Sequence, residues 1–196
     1  MNLMPYDELN TFKAMVTEYK TEPLTNDEKA RLRLDIEDYI EFLLIEAYVY
    51  GNVQAMQDLG LLDLDPKDLI DEAEMERVIN EKIADNTYKQ RIEEYLDDEN
   101  STVEDFQRVA ETDATRVYNA GVVDGGKASG VPGVMKQWIT MDDDRVRSTH
   151  EYLQSMTVPL DADFYSWDGD HARAPGLFTL PENNINCRCT LTLIRE

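Results

Sequence analysis

"STVEDFQRVAETDATRVYNAGVVDGGKASG" (residues 101–130) opens on a helix start and closes on glycines. Ser101 and Glu104 have the spacing of a capping box, in which each side chain satisfies a free backbone N–H at the helix start. Val103, Phe106, Ala110, Ala114 and Val117 then recur at helical spacing and define one apolar stripe. Gly121, Gly126 and Lys127 match the glycine and lysine positions of a phosphate-binding loop. That loop needs Ser or Thr next, for magnesium, and must follow a strand. Ala128 stands there instead, and the segment closes a helix. Nucleotide binding is therefore not expected. A helix end loosened by glycines, open to close packing by a neighbour, is.

Upstream, the chain reads as helical. "LTNDEKARLRLDIEDYIEFLLIEAYVYGN" (24–52) begins with a Thr25/Glu28 capping box, and Gly51 is the expected stop. From Tyr39 to Tyr50 apolar residues wrap most of the helix, which predicts burial or contact with a partner helix. A second helix is expected over 63–85, with Asp65 as N-cap, Pro66 in the first turn, and Leu69, Ala73, Val78, Ile79 and Ile83 facing inward. A third, shorter one covers 87–98.

Downstream the texture changes to turns and short strands. "VPGVMKQW" (131–138) reads as a connector and "DDDRVRSTHEYLQS" (142–155) as a short helix. "TVPLD" (157–161), "GLFTLP" (176–181) and "CRCTLTLIRE" (187–196) read as strands. On the last, Cys187, Cys189, Leu191 and Leu193 share one face, while Arg188, Thr190, Thr192 and Ile194 share the other.

Charge divides the chain in the same place. The first hundred residues hold 26 acidic and 10 basic side chains, the remainder 15 and 9, for a net charge of -22. Such a surface disfavours nucleic acid and anionic membranes and favours solubility or a basic partner. No stretch is long and apolar enough to span a bilayer, and the first twenty residues lack the pattern of a secretion signal. Two cysteines do not make a disulfide framework, so assembly in a reducing cytoplasm is expected.

Three readings apply to the cysteines. Alternating Cys-x-Cys-x-Leu-x-Leu makes a core face. Cys187 and Cys189 with His150 and His171 are also a set of soft zinc ligands without a recognised finger spacing. A Cys/His nucleophilic pair oriented by an acid such as Asp143 is the third. In "DDDRVRSTH" (142–150), Arg145 and Arg147 are placed to fork onto a carboxylate such as Glu182, or to lie on a solvated helix start. Trp138 reads as a core anchor.

Taken in order, "RVAETDATRVYNAGVVDGGKASGV" (108–131), "KQWITMDDDRVRSTHEYL" (136–153), "TVPLDADF" (157–164), "APG" (174–176) and "PENNINCRC" (181–189) resemble the C-terminal domain of the tailed-phage minor head protein family, the head morphogenesis group that includes the Mu F protein. The resemblance covers roughly residues 105–190. The family's characteristic residues then fall on Trp138, Asp143, Arg145, Arg147, His150, Glu182, Asn186, Cys187, Arg188 and Cys189. Glu111, Thr112 and Asp113 depart from the family's Arg-Thr-Glu, and Ser155 stands where a glycine often follows, so an ion pair made by that arginine is in doubt here.

The resemblance implies a structural, non-enzymatic role at the portal or the capsid interior of a virion, in head morphogenesis and DNA packaging or delivery. The implied partners are the portal or major capsid protein, with host cytoplasm as the place of assembly and neither membrane nor sequence-specific nucleic acid contacted. With seven residues after Cys189, no further domain is expected to follow. The expected fold is α+β: an acidic helical region over 1–100, then a Mu F-like domain over 101–196 with a long helix and a few short antiparallel strands. Within it, Asp143, Arg145, Arg147, His150, Glu182, Asn186 and Arg188 would form a structural polar cluster, and Trp138, Cys187 and Cys189 core anchors. No cofactor is expected. A zinc-stabilised adaptor (through Cys187, Cys189, His150 and His171) and a Cys/His hydrolase are the alternatives.

Overall fold

The computed structural model describes residues 5–195; Glu196, the end of the expected last strand, lies outside them. The fold is α+β, and two long helices build its centre. Helix α1 (Tyr6–Thr21) leads into α2 (Asn26–Leu59), which starts on the expected capping box: the Glu28 amide donates to Thr25 Oγ1 at 3.3 Å and the Thr25 amide to Glu28 Oε2 at 2.9 Å. Gly51 does not end α2. The helix runs on to Gly60, whose φ of 69° lets Leu61 N donate back to Met56 O at 2.8 Å.

The expected second helix is broken in two. A 3₁₀ turn (Pro66–Leu69) capped by Asp65 comes first, then α3 (Glu72–Ile79) capped by Asp71. Asp71 offers its side chain to two amides and restarts the helix, which leaves Ala73 exposed rather than inward. Helix α4 (Tyr88–Asp97) follows.

Helix α5 (Val103–Ala128) is the axis of the molecule. Its capping box is Thr102 with Asp105, one residue later than expected. Ser101 instead turns inward, bonding the carbonyls of Tyr95 and Asp98 and receiving Lys20 Nζ at 2.6 Å. The glycines do not loosen the helix end. They admit α2: a Cβ on Gly51 would lie 2.1 Å from the Tyr118 carbonyl oxygen, and one on Gly121 2.3 Å from that of Tyr48. The two backbones touch, which only glycine on both sides permits. The Tyr39–Tyr50 apolar run is thereby consumed inside the chain. Ile40, Leu43, Leu44, Ala47 and Tyr48 are buried, and Phe42 remains exposed.

After α5 the chain forms β1 (Val134–Ile139) where a connector was expected, then α6 (Ser148–Glu151), β2 (Thr157–Pro159), β3 (Phe164–Tyr165), β4 (His171–Ala172), α7 (Pro181–Asn184) and β5 (Thr190–Arg195). The segment 142–155 is mostly turn, with Asp142 at φ 52°, so α6 is shorter than expected. The segment 176–181 is loop, because Phe178 and Leu180 give their amides to the side chains of Asn184 and Asp170 instead of a ladder. The main sheet is antiparallel, ordered β2-β1-β5, with Trp138 opposite Leu191. Asp58, at the end of α2, caps the outer edge of β5 by accepting from Leu193 N at 2.7 Å and Thr192 Oγ1 at 3.0 Å. One hydrophobic cluster runs from Phe12 on α1 through α2 and α5 to Leu193 on β5, so the helical region and the sheet share a core. Among the described residues no helix is long and apolar enough to cross a membrane.

Candidate functional site

The site gathers where α6, the loop before β5 and the face of α5 meet. The start of α6 is set by Arg147, whose extended backbone lets its carbonyl accept from His150 N and Glu151 N, both at 2.9 Å. That turn aims His150 inward. Its ring stacks on Phe178 (5.3 Å, 22°) and meets Trp138 edge-on (5.5 Å, 76°). Trp138 is fully buried and also contacts Phe164 at 5.2 Å.

Opposite the ring stand both cysteines, reduced and buried. Cys187 Sγ lies 3.7 Å and Cys189 Sγ 3.5 Å from His150 Nδ1. The thiol of Cys189 donates toward Cys187, and with help from His150 this holds Cys187 well below the ordinary thiol range despite its burial. The same hydrogen bond, together with burial, drives Cys189 up. Among the described residues His150 Nε2 has no hydrogen-bond partner.

The polar cluster is only partly assembled. Arg188 forks onto Asp143 at 2.6 and 2.8 Å, holding that carboxyl down to about 2. Arg145 adds its amide at 3.1 Å and a looser ion pair at 3.7 Å. Arg147 donates instead to Ile185 O at 2.7 Å. Glu182, expected as the arginines' carboxylate, is exposed and takes no part in these pairs; Asp143 holds that position because it lies beside Arg188 across the loop. Asn186 sits at φ 59° and gives its amide to Thr112 Oγ1 at 3.1 Å. His171 does not join the cysteines. It lies on β4, half-exposed, 3.0 Å from Asp163. Arg145, Arg147, Asn186 and Arg188 line a small cavity that opens onto the sulfurs.

Of the residues that place these groups, Thr112 and Asp113 were noted from sequence only as departures, and Arg91, Arg116 and Asn119 were not singled out. On α5, Asp113 is fully buried and receives Arg91 at 2.7 Å and Arg116 at 3.0 Å. Arg116 also donates to the carbonyls of Val78 and Ile79, closing the end of α3. Asn119 grips β5, donating to Cys189 O at 2.9 Å and accepting from Leu191 N at 3.1 Å. Within the departing segment Glu111-Thr112-Asp113, the acid that pairs is Asp113, with Arg91 from α4 and Arg116, while Glu111 accepts from Gln107. Thr112, Asp113, Arg116 and Asn119 recur at the spacing of one helix face, which is the signal that a polar stripe within a small-residue helix offers.

A second hub is Asp170. It accepts from His171 N, Thr179 N and Oγ1, Leu180 N and Asn183 Nδ2. Burial pushes its carboxyl up, but these donors outweigh burial and leave it below the usual value. Asn184 staples Phe178 with a pair of bonds at 2.7 and 2.8 Å. On β1, Lys136 is buried, donates to Arg173 O at 2.7 Å, and is pushed down to about 8 by burial.

A family model described as "Phage Mu protein F like protein" matches residues 73–192, from α3 to β5. Two curated relatives are similar to the chain. One is the NAD(+)--arginine ADP-ribosyltransferase EFV of Enterococcus faecalis, 30% identical over 60% of this chain and 21% of that protein. The other is the minor head protein GP7 of Bacillus phage SPP1, 30% identical over 43% of this chain and 28% of that protein. The chain therefore spans under a third of either relative's length. No solved structure matches. The match over more than half of its length places the chain in the Phage Mu protein F like family.

Proposed function

We propose that this family member is a structural minor head protein of a tailed bacteriophage, acting by binding the portal or the inner face of the capsid during head morphogenesis. The observation that carries the reading is the family match over 73–192, which encloses the Asp113–Arg116–Asn119 stripe, Trp138, the Arg188–Asp143 fork and the cysteines. Similarity to a phage minor head protein supports it. The net charge of -22 favours a basic protein face over packaged DNA as the contact.

Transferase chemistry does not follow from the other relative, of which the shared part is about a fifth. A Cys/His hydrolase is disfavoured by geometry. Among the described residues no carboxylate orients His150 Nε2, and Asp143 is engaged by Arg188.

The test is mass spectrometry and cross-linking of purified heads from the phage that encodes the chain, with a carboxylate-to-lysine reagent. Recovery of the chain in heads, linked to portal or major capsid peptides, is the expected result. Heads that mature without any copy of the chain would overturn the assignment.

A further inference from the structure

We infer that His150, Cys187 and Cys189 form a zinc site, with His150 Nδ1 and the two sulfurs as ligands and solvent in the fourth position.

The three donor atoms lie within 4.8 Å of one another, and all three residues are buried. Zinc binds sulfur at about 2.3 Å and imidazole nitrogen at about 2.0–2.1 Å, so tetrahedral geometry puts the two donors about 3.6 Å apart. The two sulfur–nitrogen distances are 3.7 and 3.5 Å. Both sulfur–nitrogen edges therefore match those of a zinc tetrahedron, and the two sulfurs lie within 4.8 Å of each other.

Hydrogen bonding accounts for the arrangement less well. A ring nitrogen offers either one lone pair or one proton. It can bond only one of the two sulfurs, so the close approaches of Cys187 and Cys189 to Nδ1 are not both hydrogen bonds. A single cation between the three atoms satisfies all of them. The loop is built for it: residues two apart in extended chain point the same way, so Cys187 and Cys189 converge. The imidazole is held between Phe178 and Trp138.

Among the described residues no fourth His, Cys, Asp or Glu reaches the group, and His171 is committed to Asp163. The open side faces the cavity lined by Arg145, Arg147 and Arg188. A three-ligand site with one solvent position results, rather than a closed four-ligand staple. A portal-binding protein can carry or lack the metal, so the site and the head assignment stand or fall separately.

The experiment is elemental analysis of the full chain purified without chelator, followed by chelation and cobalt(II) replacement. About one zinc per chain is expected. The cobalt form should show visible bands of tetrahedral intensity and a near-ultraviolet thiolate-to-cobalt band. Cys187→Ser with Cys189→Ser should remove the thiolate band, and azide should shift the visible bands. Wild-type chain that holds no zinc and takes up none after chelation, or a cobalt form without thiolate bands, would overturn the site. A spectrum indifferent to azide would overturn the open position. Both outcomes are read on the wild-type protein, so they hold even if the double variant does not fold.

Discussion

The α2–α5 crossing and the loops around β5 solve the same problem with opposite means. At the crossing, side chains are removed. Gly51 and Gly121 bring two backbones into contact, and Leu43, Leu44, Ala47 and Val122 fill the flanks. Around β5, side chains supply what regular structure does not. Asp170, Asn183, Asn184 and Asn119 stand in for missing ladder partners, and a fully buried tryptophan plugs the centre. Apolar burial stabilises the first region with little directional demand, whereas the second depends on each donor finding its acceptor.

Asp113 is a fully buried carboxylate on α5, the helix that both regions share, so its loss should have the largest effect. Asp113→Ala leaves Arg116 buried without its counter-charge, and a loss of about 3–5 kcal/mol is expected in urea unfolding. A loss below about 1 kcal/mol would mean that the carbonyls of Val78 and Ile79 suffice for Arg116.

At the crossing, Gly51→Ala forces a methyl against a carbonyl oxygen that cannot swing aside, and should cost about 1–3 kcal/mol or more. Gly126→Ala meets only the ends of Leu193 and Leu160 and should cost less than about 1 kcal/mol. Equal costs for the two would break the claim that backbone contact defines the crossing.

Around β5, Asp170→Asn turns part of a five-fold acceptor into a donor and should cost about 1–3 kcal/mol. The same group sharpens the comparison through pH. The carboxyls of Asp170 and Asp143 are both depressed in the fold, Asp143 to about 2. Their stabilisation is therefore complete above the ordinary value of 3.8 and is lost as pH falls through the depressed ones. Melting curves from pH 5 to pH 2 should show a shallower loss in Asp170→Asn than in the parent chain. Parallel curves would remove Asp170 as a source of acid sensitivity.

The smallest effect belongs to the best-looking ion pair. Arg188→Ala should cost under about 1 kcal/mol, because the Arg188 and Asp143 side chains are 28% and 33% exposed and water competes with the fork. A larger loss would show the fork supporting the cavity beside Cys187 rather than the surface alone.

Periodic features were legible. The stripe of α5, the capping box of α2 and the inward face of Cys187, Cys189, Leu191 and Leu193 all follow from spacing. The ordered motifs from Arg108 to Cys189 led to the family. Stops and partners were not legible. Gly51 has the residue type of a helix end, and only a second glycine at 121 explains why the helix continues. Glu182 and Asp143 are equally plausible arginine partners on paper, and only loop geometry selects Asp143. His150 and His171 are alike in sequence, yet one is turned inward by Arg147 and the other faces Asp163.

Sequence by itself determined the α+β class, the capping box that starts α2, the apolar stripe of α5, the acidic balance and the family. Each depends on local spacing or composition, which the chain carries without folding. Tertiary structure alone decided that β1 is a strand, that two glycines make one crossing, and that one histidine meets both cysteines at 3.5 and 3.7 Å. Those outcomes require atoms from segments 37 to 70 residues apart to share one place, and packing sets which of them arrive.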